Sequence, residues 1–207
     1  MDTPIRVYLI RHGQVLNFEE KTYNGHRDVD ITPYGVRQME AVAVRLRDEE
    51  LAGVYCSDMI RTRKGADIIA APHGLVPQPR PALRELDVKL WEGLNADSVE
   101  ERFPGAFDAW REEGAEYQVP GGESIRNLAE RVIPALREIL DAHVSENIVL
   151  VTHGGVNRVI LADAMGNGFN RLYSIEQDYG CMNIIDYFSD YAVVRLVNRR
   201  LLDEKQC

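Results

Sequence analysis

VYLIRHGQ, residues 7–14, sets four apolar residues directly before an arginine, a histidine and a glycine; VLVTHGGV, residues 149–156, repeats the arrangement far down the chain. Apolar runs this short, rich in β-branched and aromatic residues and closed by glycine, predict strands buried on both faces. Working outward, strands are expected over 6–10, 53–57, 148–152, 182–188 and 192–197. Helical patterns fall between them. Thr32 and Pro33 read as a cap and first turn, after which Val36, Met39, Ala43 and Leu46 recur on one face. Ile125, Leu128, Val132, Leu136 and Ile139 give a second long helix over 124–142, where Pro134 predicts a kink. Helices are also expected over 59–70 and from Gly154 or Gly155 onward. Strands alternating with helices predict an α/β fold, a three-layer α/β/α sandwich with a mostly parallel central sheet. Residues 95–120 break the alternation with short helical pieces and turns.

The chain of 207 residues fits one domain, 1–207, with residues 87–119 as a helical excursion or lid over the site. Its 45% apolar and 28% charged residues are ordinary for a globular protein. A net charge of -9 gives no general attraction to nucleic acid or to an anionic membrane, so neither is expected as a partner. No apolar run approaches a membrane span, and Arg6 and Arg11 bracket only VYLI, so no export signal is read and a cytoplasmic location is expected. Cys56, Cys181 and Cys207 are odd in number and widely separated, which predicts free thiols rather than disulfides or a zinc ribbon.

In open parallel sheets, ligands collect at the carboxyl ends of the strands. Both His-Gly pairs stand there. If their strands are neighbours, His12 and His153 face one another, and Gly13, Gly154 and Gly155 let backbone amides approach a ligand closely. Two loops then build one anion site.

Five elements in order make the sequence resemble the histidine phosphatase superfamily, also called phosphoglycerate-mutase-like. They are RHG (11–13), the GxxDxPLTxxG-like stretch carrying Gly25, Asp28, Ile31, Thr32 and Gly35, SDMIRT (57–62), LRELDVKLWEG (83–93), and PGGES (120–124) followed by THGG (152–155). The resemblance covers nearly the whole chain. It implies that His12 is the phosphorylated nucleophile, that Arg11 and Arg61 bind the phosphoryl group, that Glu85 is the proton donor and that His153 is the second histidine. Asn17 and Gly154 are further substrate-binding candidates, although Asn17 lies one residue nearer His12 than the asparagine of many members. Asp30 replaces a proline, Gly65 a threonine, and Val88-Lys89 a Phe-Gly pair. The length, GGES and QDYGCMNIIDY (177–187) are similar to the α-ribazole phosphatase branch.

These residue types suit the chemistry. A neutral imidazole is a nucleophile near pH 7, and anchoring its Nδ1 proton on a carbonyl leaves the Nε2 lone pair for phosphorus. Charge spread over the equatorial oxygens is stabilised by Arg11 and Arg61, with His153 expected as a third donor. A close ion pair at ~4 Å is worth about 4 kcal/mol at an effective dielectric of ~20, whereas distant carboxylates are screened over ~8 Å, so local arginines outweigh the acidic surface. Glu85 must hold a proton for the leaving alkoxide, which Leu83, Leu86, Trp91 and the phosphate anion would favour.

The expected activity is hydrolysis of a small phosphorylated metabolite, such as α-ribazole 5'-phosphate, through a phosphohistidine, with no cofactor and no metal. A phosphoglycerate mutase, a non-catalytic phosphate-binding module and a metal enzyme built on His12, His153 and Glu85 are the alternatives. His73 and His143 read as structural and His26 as a loop residue near the site, while Trp91, Phe103, Phe107 and Trp110 read as packing. A homodimer is the expected form if the chain self-associates.

Overall fold

The computed structural model describes residues 3–202. Six strands, β1 (Ile5–Arg11), β2 (Leu51–Cys56), β3 (Gln78–Pro79), β4 (Asn147–Thr152), β5 (Met182–Tyr187) and β6 (Ala192–Arg199), form one sheet in the order β3-β2-β4-β1-β5-β6. The pairs from β3 to β1 are parallel, and β5 and β6 add two antiparallel pairs at one side. The mostly parallel α/β architecture is therefore as the sequence predicts.

Both faces of β1 are buried, which explains why its apolar residues are unbroken. Val7 and Leu9 pack with Ile148 and Leu150 of β4 against α5 (Ile125–Asp141) and α6 (Gly154–Ala164). Tyr8 and Ile10 face the other way, packing with Val149 and Val151 against α1 (Pro33–Leu46) and α2 (Ile60–Ala70). Two cores separated by the sheet make the three layers.

The helix ends follow local chemistry. Thr32 caps α1 by accepting the Gly35 N–H, with Pro33 at the first position, where a missing N–H costs nothing. Ser124 and Asn127 form a reciprocal capping box on α5, which continues through Pro134 as one helix. The excursion holds α3 (Ala96–Arg102) and α4 (Ala106–Glu113) and no strand. The sequence reading missed β3. Its two residues carry no apolar run, and Pro79 is tolerated because β3 is an edge strand. Cys56 and Cys181 are buried free thiols, and Cys207 lies outside the described residues.

Candidate active site

Register alone brings the two His-Gly loops together. β1 pairs with β4 so that Arg11 lies opposite Thr152, and His12 donates its backbone N–H to the Thr152 carbonyl at 3.0 Å. The next residue on each strand is a histidine, and the two rings meet edge to face with centroids 5.3 Å apart.

The tautomer of His12 follows from its partner. Nδ1 lies 2.8 Å from the Gly13 carbonyl, which can only accept, so Nδ1 carries the proton and Nε2 the lone pair. Burial, and then the charges of Arg61 and Arg11, hold the His12 pKa well below the usual imidazole value. The ring is neutral at pH 7 and lines a cleft of about 230 Å3.

His153 is wired in the opposite sense. Arg61 donates Nε–H to His153 Nδ1 at 3.2 Å, so that nitrogen accepts and Nε2 carries the proton, which goes to Ser57 Oγ at 2.8 Å. Ser57 in turn pairs with the Thr62 hydroxyl at 2.7 Å. Burial, followed by the charge of Arg61, also holds His153 neutral. His153, expected as a donor to the phosphoryl group, is fully buried with both ring nitrogens engaged within the protein, and it does not line the cleft as placed.

Arg61 starts α2 and is itself 1% exposed. The carbonyls of Arg27 and Gly25 accept from its two terminal nitrogens at 2.8 and 2.7 Å, fixing the fork while leaving further N–H groups on the cleft side. Arg11 lies across the Tyr179 ring, 4.0 Å from its centroid, and one terminal nitrogen donates to the Gln177 carbonyl. Its Nε is buried with no protein partner. A buried donor left unpaired costs about 1–3 kcal/mol, so this N–H favours an anionic oxygen arriving beside His12.

Glu85 reaches the same cleft. Its carboxylate accepts the N–H of Leu86 at 2.9 Å and that of Gly155, in the first turn of α6, at 3.0 Å. A Cβ at position 155 would collide with Glu85 Oε1, so any other residue there would push that carboxylate from its place. Gly154 lines the cleft, and a Cβ there would come within 3.1 Å of Arg158 and 3.5 Å of Arg11. Arg131 of α5 holds the chain behind the carboxylate through the carbonyls of Ala82, Arg84 and Glu85, and pairs with Glu123 at 2.8 Å. The PGGES stretch thus braces the Glu85 segment.

Two expectations shift outward. Asn17 does not line the cleft: its amide is tied to Thr22 and Asn24, each at 2.9 Å, and those two residues form the wall instead. His26 binds the Glu85 carbonyl through Nε2 at 3.0 Å, as a brace behind the site. The sequence reading missed Arg158, Tyr23, Tyr173 and Tyr179, all on the wall. Arg158 had a usable signal, standing four residues after Gly154 on one face of α6. Trp91 is buried as packing, but Trp110 also lines the cleft. Three guanidinium groups and one carboxylate make the cleft locally cationic in a chain of net charge -9.

Known proteins resemble this chain in sequence and in fold. The chain is 36% identical over 155 residues, 73% of its length and 67% of the relative's, to phosphoglycerate mutase-like protein 4 of Arabidopsis thaliana. It is 28% identical over 196 residues, 95% of its length and 89% of the relative's, to phosphoserine phosphatase 1 of Hydrogenobacter thermophilus. The α-ribazole phosphatase of Shigella flexneri shares the fold, with a TM-score of 0.86 at 24% identity over 96% of this chain and 98% of that one. No helix among the described residues is long and apolar enough to cross a membrane. Residues 7–200, from the first buried strand to beyond the last, match the family model for branch 1, and the chain belongs to the histidine phosphatase superfamily.

Proposed function

We propose that the protein hydrolyses a small phosphomonoester through a covalent phosphohistidine on His12, with α-ribazole 5'-phosphate the first substrate to try. The observation that carries the reading is the pairing of a neutral His12, its Nε2 lone pair unprotonated, with the buried, unpartnered Nε–H of Arg11. Nε2 attacks phosphorus as the P–O bond to the alcohol breaks, while Arg11, Arg61 and Arg158 stabilise charge on the equatorial oxygens. Glu85 gives its proton to the departing alkoxide. A water then attacks the phosphoryl group, Glu85 takes up its proton, the P–N bond breaks and phosphate leaves. His153 keeps the Arg61 fork in line. Residues 87–119 supply part of the wall through Val88 and Trp110 and help select the alcohol.

The donor set does not suit a divalent cation. His153 Nδ1 is occupied by a guanidinium N–H, and Arg61 would have to leave for His12, His153 and Glu85 to share an ion. A phosphoglycerate mutase remains a second reading on one observation: Arg158 is a third guanidinium in the cleft, able to take a substrate carboxylate. Fast isomerisation of 3-phosphoglycerate with a trace of 2,3-bisphosphoglycerate and little free phosphate would favour the mutase. The primary test is acid and alkali quenching of enzyme turning over a 32P-labelled phosphomonoester. Wild type should carry acid-labile, alkali-stable label that is absent from His12→Ala; an enzyme that turns over with no such label would overturn the mechanism.

A further inference from the structure

A second cavity lies beside the cleft, and three side chains, Tyr23, Trp110 and Tyr173, wall both. The annexe is the larger space, about 430 Å3 beside a cleft of about 230 Å3. Roughly 150 Å3 is enough to hold benzene in an apolar cavity, so the annexe has room for a fused two-ring group. Phe107, Phe169 and Leu172 supply further walls.

A few polar groups stand at its edge. Asn170 Oδ1 accepts the Ala115 N–H at 3.1 Å, and Arg111, whose side chain is 77% exposed, pairs with Asp108 at 2.9 Å. Most of the lining is aromatic or aliphatic, so a carboxylate or a run of hydroxyls buried against it would give up more hydration than it recovers. A planar apolar group would not. The rings that would receive it are braced: Trp110 stacks on Phe107 and Tyr117 with interplanar angles of 17° and 11°, and meets Tyr173 edge-on at 5.1 Å. Fully buried Trp91 lies behind, 5.5 Å from Trp110. A surface held this way loses little side-chain freedom when a ligand ring lands on it. Arg158, with its guanidinium 5.2 Å from the Tyr173 ring centroid, marks the threshold between the cationic cleft and the aromatic annexe.

We propose that the annexe receives a planar apolar group on the alcohol half of the substrate. The substrate class is then a phosphomonoester of an alcohol bearing an aromatic ring, rather than a compact charged one such as phosphoserine or phosphoglycerate. This rests on the phosphomonoesterase reading, which places the phosphoryl group at His12.

The test pairs 2-naphthylmethyl phosphate with ethyl phosphate, both esters of primary alcohols, so that a difference reports binding of the ring more than leaving-group chemistry. The kcat/KM ratio should favour the naphthylmethyl ester by at least about 30-fold, as expected for an aromatic group taken out of water. In Phe169→Ala that ratio should fall about 10-fold. A parallel measurement needs no turnover and no variant: wild-type enzyme should bind 2-naphthylmethylphosphonate at least about 30-fold tighter than ethylphosphonate in calorimetry. Equal rates for the two esters together with equal affinities for the two phosphonates would overturn the annexe while leaving the phosphatase reading intact. A strong phosphonate preference without hydrolysis of either ester would do the reverse, and a folded Phe169→Ala enzyme with an unchanged ratio would also contradict the annexe.

Discussion

His12 and His153 follow neighbouring parallel strands, precede glycines and lie 5.3 Å apart, yet they carry their protons on opposite nitrogens. The Gly13 carbonyl draws the proton of His12 to Nδ1, whereas the Arg61 guanidinium drives the proton of His153 to Nε2, where Ser57 receives it. One ring is left with a lone pair in the cleft and the other with none. The lesson is that the same dipeptide at the same strand end takes its chemistry from what touches the far nitrogen. On the proposed mechanism the twin loops are a nucleophile and its support, not a symmetric pair.

The sharpest way to break that asymmetry is to remove each ring in turn. His12→Ala should lose phosphomonoesterase activity by about ten-thousand-fold or more and all covalent label, because the proposed nucleophile is gone. His153→Gln should retain labelling at a rate lowered by about a hundredfold; equal and total loss in both variants would make the pair functionally equivalent. Next in size is Arg61→Lys, which keeps a charge but not the fork that spans His153, Gly25 and Arg27. A fall of about a hundredfold to a thousandfold in kcat/KM is expected, and near-normal activity would show that the charge alone suffices.

Much of this could be read from the chain and some could not, for identifiable reasons. VYLI and VLV reveal strands because burial on both faces leaves no polar alternation to confuse them. Arg11, His12 and Gly154 reach the cleft because each sits at a strand end that the local pattern marks, whereas Arg61 and Glu85 were legible only through the family resemblance. The direction of His153 was not legible, since it is decided by Ser57 and Arg61, 96 and 92 residues away. Asn17 was misplaced for a similar reason: Thr22 and Asn24 stand between it and the cleft. The annexe is also invisible in sequence, where Tyr23, Trp110 and Tyr173 are far apart.

Smaller effects sharpen the comparison. Both rings are buried and held below the usual imidazole pKa, so below pH ~6.5 the unfolded chain binds protons that the folded chain refuses. Stability should be greatest above that pH and fall as pH drops through it, by up to about 1.4 kcal/mol per pH unit for each ring. Urea unfolding between pH 7.5 and 5.5 checks this, and His153→Gln should show a shallower slope; a wild-type slope of zero would mean that neither ring resists protonation. Least of all, Asn17→Ala should cost no more than about fivefold in kcat/KM, as expected of a residue that acts on the cleft wall through its neighbours' hydrogen bonds. A loss of about a thousandfold would restore Asn17 as a direct phosphate ligand.

The assignment of the two rings is tested most directly by 15N-detected correlation spectra of the histidine side chains in the free enzyme at pH 7. The expected result is a neutral His12 protonated at Nδ1 beside a neutral His153 protonated at Nε2. Finding the two in the same tautomer, or either ring as an imidazolium, would contradict the division of labour between them.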